Sequence, residues 1–169
     1  MRIFIAIQFS EEFKDEIEEI QYSFIKNGVD GNYTEKNNLH LTLAFIGEYE
    51  DPLYVKKVID KIKFRPFSIK LEKMGAFHSL WWIGLQKSNE LKMLVKRLRQ
   101  DLERAGVPYD TKEFLPHITL IRKPRSPYVR EIPGEFAEYV GEVEMTVNRI
   151  SLMRSNRDAS GKIFYTEIK

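Results

Sequence analysis

The sequence predicts a mixed fold of helices and strands, built as two halves that each carry one copy of the same strand motif. Three observations lead there. Apolar residues recur at period two in some segments and at helical spacing in others, with turn signals between them. No linker or low-complexity stretch divides the 169 residues, a length that buries a core as one domain. The pattern His-apolar-Thr-apolar occurs twice, at His40 and again at His117, 77 residues apart and close to half the chain.

In chain order, Ile3, Ile5 and Ile7 alternate with Phe4, Ala6 and Gln8, a first strand. Ser10 is placed to cap a helix with Glu11 and Glu12 in its first turn and the stripe Phe13, Ile17, Ile20 and Phe24. Asn27-Gly28 and Asp30-Gly31 both signal turns. A strand follows over about 39–47. Asp51-Pro52 opens a second helix, because proline's missing N–H has no helical partner at the first position anyway; Val55, Val58, Ile59 and Ile62 face inward. Strands over 67–77 and 80–86 are joined by a turn at His78-Ser79. Ser88 starts a third helix, striped by Leu91, Leu94, Val95, Leu98 and Leu102 and ended by Gly106. Residues 116–121 read as a strand and 124–133, with three prolines, as an irregular loop. The last strands are 142–153 and 163–168. In the former, apolar positions slip from Val143, Met145 and Val147 to Ile150 and Leu152, which one extra residue near Asn148 explains as a bulge.

Composition excludes several chemistries. The net charge of +2 argues against a protein that coats polyanions, while leaving room for a local basic patch. The absence of cysteine removes disulfides, thiol nucleophiles, thiolate metal sites and iron–sulfur clusters. Three histidines are too few for a multi-histidine metal cage, and the carboxylates show no glycosidase-like or two-metal pairing. Neither metal nor cofactor is expected. No apolar run approaches the ~18 residues of a membrane span. The apolar start, Ile3 to Ile7, is too short for a signal-peptide core and meets acidic residues at once. A cytoplasmic monomer without a membrane partner is the default expectation.

The repeated motif carries the chemistry. Residues two apart on a strand share a face, roughly 6.5–7 Å from one another. His40 and Thr42 therefore share one face while Leu41 and Leu43 point to the core; His117 and Thr119 do the same above Ile118 and Leu120. With only six threonines in the chain, a chance repeat is rare. Two similar halves facing each other would gather two imidazoles and two hydroxyls around one small volume. That set suits a phosphodiester. The hydroxyls donate to phosphate oxygens, a neutral imidazole takes a proton from water, and an imidazolium protonates the leaving oxygen.

These residues resemble the 2H phosphoesterase superfamily, and more fully its bacterial and archaeal RNA 2′,3′-cyclic phosphodiesterases, historically called LigT-like 2′-5′ RNA ligases. Arg2 to Ala6 resembles the opening strand, Asn38 to Glu48 the first motif with its trailing glycine, and Pro116 to Arg122 the second. Ser155 and Gly161 resemble the closing hairpin, so the likeness spans nearly the whole chain. It implies an α+β fold of two pseudosymmetric lobes, each an antiparallel sheet backed by helices, with the two His-x-Thr-x strands in a central cleft. It also implies hydrolysis of an RNA 2′,3′-cyclic phosphate to a 2′-phosphomonoester, with His40 as proton donor, His117 as proton acceptor, and Thr42 and Thr119 holding the phosphate. The chain departs from the family at Ser79, where many relatives carry Arg, at Gly161 to Phe164, where Gly-Pro-x-Tyr is usual, and at Tyr33, where Trp is common.

Other residues are weaker candidates. Tyr33, shortly before the first motif, is a candidate for stacking a base, and Phe4 for the cleft wall or the core. Arg122 opens the basic run Arg122-Lys123-Pro124-Arg125 and is the best candidate there for an RNA phosphate. Trp81 and Trp82 point to opposite faces of one strand, one to the core and the other to a base or under a helix. His78 reads as a surface turn residue. Lys92, Lys96 and Arg99, on one helix face, read as solvated. Two further activities use the same residues: the reverse reaction, joining ends through a 2′-5′ linkage, and nucleotide or RNA binding without turnover.

Overall fold

The computed structural model describes residues 1–126, 131–132 and 134–169. Strand β1 (Arg2–Gln8) leads into α1 (Glu11–Lys26), β2 (Asp30–Tyr33), β3 (His40–Glu48) and α2 (Pro52–Asp60). Then come β4 (Phe67–Ile69), β5 (Leu71–Phe77), β6 (Leu80–Leu85) and α3 (Asn89–Arg104). The remainder holds β7 (Ile118–Arg125), α4 (Gly134–Ala137), β8 (Met145–Val147), β9 (Ser151–Arg157) and β10 (Ile163–Glu167). One antiparallel sheet has the strand order β10-β9-β1-β3, a second β2-β7-β6-β5, and β4 with β8 forms a separate two-stranded ribbon. The class is α+β, as the sequence predicts. Among the described residues no helix is long and apolar enough to cross a membrane.

Local chemistry explains the elements. Ser10 Oγ accepts the Phe13 amide at 3.3 Å, Asp51 Oδ1 that of Tyr54 at 3.2 Å, and Ser88 Oγ that of Leu91 at 3.1 Å, so each main helix begins on a side chain that satisfies an orphan N–H. Helix α3 ends on a paired closure: Gly106 N–H donates to Glu103 O at 3.0 Å and Val107 N–H to Leu102 O at 2.9 Å. All five residues of its predicted stripe are buried.

Two helices, α1 and α3, are exchanged between the sheets, while α2 packs on β9 of the sheet it follows. Helix α1 follows β1 of the first sheet but packs on the second, where Phe24 meets Trp81 at 5.1 Å. Helix α3 follows β6 of the second sheet but packs on the first, against β3. One continuous apolar core lies between the sheets and these helices, and it contains Ile3, Phe13, Phe24, Leu43, Leu98 and Leu120.

Several expectations are corrected. Asp30-Gly31 is no turn but part of edge strand β2, whose close approach to β7 leaves room only for glycine; a Cβ at Gly31 would lie 2.9 Å from Lys123 O. The predicted strand 67–77 is two strands in different sheets, as is 142–153. The slip near Asn148 is therefore not a bulge. It is where the chain leaves β8, paired with β4, for β9, paired with β1, so the inward face is reset. Strand β7 runs on to Arg125, further than predicted, and the rest of the proline-rich segment lies partly outside the described residues, at 127–130 and 133. The short α4 and a 3-10 turn at Lys36–Asn38 have no clear sequence signal.

Candidate active site

The two motif strands have the same irregularity at the same place. In β3, Thr42 pairs with Ala6 and Ala44 with Ile5, so Leu43 is skipped. In β7, Thr119 pairs with Trp82 and Ile121 with Trp81, so Leu120 is skipped. Each is three residues after its histidine. The bulge lets two successive residues, Leu43-Ala44 and Leu120-Ile121, both bury. It then returns the fifth residue after the histidine, Phe45 or Arg122, to the face of His and Thr. All six of these cleft-face residues line one cleft of about 640 Å³.

The imidazoles are held alike. His40 Nδ1 lies 2.7 Å from Asn38 O, and His117 Nδ1 lies 2.7 Å from Leu115 O. A carbonyl only accepts, so Nδ1–H donates in both cases, and Nε2 is the nitrogen left for chemistry. His40 Nε2 lies 3.0 Å from Thr42 Oγ1. Burial pushes the His40 pKa down, against the upward pull of the Asn38 carbonyl, and the nearby His117 adds to the depression.

Aromatic rings fix both imidazoles. Phe4 and Tyr165 stand 4.9 and 5.0 Å from the His40 ring, centre to centre. Phe77 and Trp82 stand 5.2 and 6.3 Å from that of His117. Trp82 lies flat over Gly75, where a Cβ would come within 2.2 Å of the indole. It thus flanks a catalytic candidate instead of packing under a helix; Trp81 takes the helix-covered side.

Phe4 is cleft wall, on the face of β1 opposite the core isoleucines. Arg122 lines the cleft, whereas Arg125 pairs with Asp30 at 3.2 Å. Tyr33 is not among the cleft-lining residues; its hydroxyl donates to Val29 O at 2.7 Å, and burial with the charge of Asp30 pushes its pKa up to about 12. His78 is exposed in its turn. Sequence reasoning missed Arg2, Arg157 and Tyr165, which also line the cleft, Arg2 lying 5.0 Å over the Phe45 ring. The cleft is thus lined by three arginines against one carboxylate, Glu48. Among the described residues no three His, Cys, Asp or Glu side chains converge as metal ligands.

Arg99 corrects another expectation. Lys92 and Lys96 are exposed, but Arg99 is partly buried, between the rings of Tyr109 and Phe114 at 5.6 and 5.9 Å. Its Nη1 donates to Lys112 O at 2.7 Å and its Nη2 to Leu43 O at 3.3 Å.

Residues 9–159 match the sequence profile of the 2′-5′ RNA ligase superfamily. The RNA 2′,3′-cyclic phosphodiesterase of Archaeoglobus fulgidus is 31% identical, over 86% of this chain and 86% of that protein. The Thermotoga maritima protein of the same name is 27% identical, over 97% of this chain and 91% of its own. The fold superposes on apo LigT of Escherichia coli with a TM-score of 0.81 at 27% identity, covering 99% of this chain and 94% of LigT. For the LigT complex with 3′-AMP the TM-score is 0.78.

Proposed function

The chain belongs to the 2′-5′ RNA ligase superfamily, and from that membership we propose that it hydrolyses RNA 2′,3′-cyclic phosphodiester ends to 2′-phosphomonoesters by metal-independent acid–base catalysis. Relatives that carry this activity in their names align with nearly the full chain. The observation that carries the reading is the matched anchoring of two imidazoles. Each has Nδ1 tied to a carbonyl two residues back, and both line the same cleft as Thr42 and Thr119.

His117 Nε2 takes a proton from water as the water oxygen bonds to phosphorus. The P–O3′ bond breaks, and His40 Nε2–H gives its proton to the departing O3′. The phosphate stays on O2′. The acid must be charged when the substrate sits, yet burial disfavours that charge. A bound phosphodiester anion supplies the missing counter-charge, so substrate binding itself arms His40. Thr42 and Thr119 hydroxyls donate to the non-bridging oxygens, and Arg122 adds a cation beside them. Each proton-transfer partner contributes on the order of 10²–10⁴-fold.

The test is to incubate the protein with an oligoribonucleotide ending in a 2′,3′-cyclic phosphate, in EDTA, and identify the end formed. A 2′-phosphate end is expected. A 3′-phosphate end would reverse the leaving-group assignment, and an unchanged cyclic end with folded protein would remove the reading.

A further inference from the structure

The skipped bulge residues, Leu43 and Leu120, each have a carbonyl bonded by a side chain from the helix that crosses over from the other half. Leu43 O accepts from Arg99 of α3 at 3.3 Å. Leu120 O accepts from Gln21 of α1 at 2.9 Å, and the same amide nitrogen donates to Thr34 O at 2.9 Å. Gln21 and Arg99 lie 78 residues apart, nearly the spacing of the two histidines. Both stand at buried-face positions, Gln21 four residues after Ile17 and Arg99 four after Val95. Gln21 is only 4% exposed.

Both side chains are well bonded, but Arg99 carries a cost beside its contacts. Arg99 is a partly buried cation whose Nε has no partner among the described residues, and such an atom costs free energy. What the two side chains do share is their target. Each donates to the carbonyl of the residue at which its motif strand slips register, Gln21 beside the Thr34 N–H, which reaches Leu120 O at 3.0 Å. Arg99 also bonds Lys112 O, on the segment that continues to Leu115, whose carbonyl holds His117. Asp110 N–H adds a bond to Phe45 O at 2.8 Å, so this segment lies along the free edge of β3.

We propose that Gln21 and Arg99 are a matched pair of positioning residues, each fixing the bulge of the opposite half and thereby the placement of His, Thr and the fifth residue in the cleft. The proposal rests on the acid–base reading above for its kinetic consequence. Both imidazoles must meet the reacting atoms at once, and small misplacements cost rate more than binding.

The experiment compares Arg99→Met, Arg99→Lys and Gln21→Leu with the wild type. Melting and circular dichroism establish the folded fraction. Kinetics on the cyclic-ended oligonucleotide give kcat and KM, and NMR of the histidine ring nitrogens reports on the imidazoles. Arg99→Met and Gln21→Leu are expected to lower kcat about tenfold or more with KM within about twofold. Arg99→Lys, which keeps a donor, is expected to recover most of that loss. Arg99→Met should shift the His40 ring signals and Gln21→Leu those of His117. Wild-type kcat in the apolar variants, or a loss that only follows the unfolded fraction, would overturn the pairing. If the wild type itself does not turn over, the proposed function falls, and the ring signals alone decide: shifts support positioning, unchanged signals overturn it.

Discussion

His40 is pulled in two directions. Its burial and the neighbouring His117 hold its pKa below the ordinary value, while the proposed acid role needs it protonated. The sign of the consequence is definite. A histidine whose folded pKa is depressed supports the fold above its unfolded pKa, near 6.5, and that support is lost as pH falls through the folded pKa. Wild-type melting temperature is therefore expected to fall from pH 7 toward pH 5. In His40→Asn the slope over that window should be shallower; identical slopes would assign the effect to another group. The kcat/KM profile is expected to be bell-shaped, because one imidazole must be charged and the other neutral. His40→Ala and His117→Ala should each lose about 10²-fold or more in kcat/KM while melting cooperatively. A fully active single variant would exclude that residue from proton transfer.

At the scale of elements, the site depends on how strands and helices begin and end. Replacing Ser10 or Ser88 by alanine leaves a first-turn amide without its acceptor, and urea unfolding should show a loss of about 1 kcal/mol for each. Gly75→Val in β5 drives a methyl into the Trp82 indole, for which about 1–3 kcal/mol of overpacking is expected. Because Trp82 and Phe77 flank His117, activity should fall by more than the folded fraction does. The helix caps, the stripes and the two motifs were legible in the sequence because each depends on neighbours a few residues away. The break at Asn148 was not, since a bulge and a change of sheet produce the same slip of apolar phase. Gln21 and Arg99 show a partial signal. Polar residues at buried-face positions mark something held, but the carbonyls they hold lie 99 and 56 residues away. Tyr165 entered the cleft through the pairing of β10 with β9, which no local pattern announces.

At the scale of the molecule, the exchanged helices make the halves interdependent. Helix α1 covers the sheet that contains β7, and α3, beside α2, covers the sheet that contains β3 and β9, so each sheet is completed by a helix from the other half. The cleft between the motif strands thus inherits its geometry from an interlocked core, not from a hinge. Such an arrangement predicts one cooperative transition, with far-UV circular dichroism, tryptophan fluorescence and the 2′,3′-cyclic phosphodiesterase activity lost together in urea. Both tryptophans lie on β6 in the second sheet, while His40 and Tyr165 lie in the first, so the probes sample different halves. A fragment of residues 1–64 makes the sharper test. It contains β1, α1, β3 and α2 but neither β6 nor β7, leaving Phe24 without Trp81 and Gln21 without Leu120 O. That fragment is expected to be unfolded alone and to regain structure when mixed with residues 65–169. A cooperatively folded 1–64 would show that the halves are separable, and the cleft would then have to be set by contacts between the motif strands themselves.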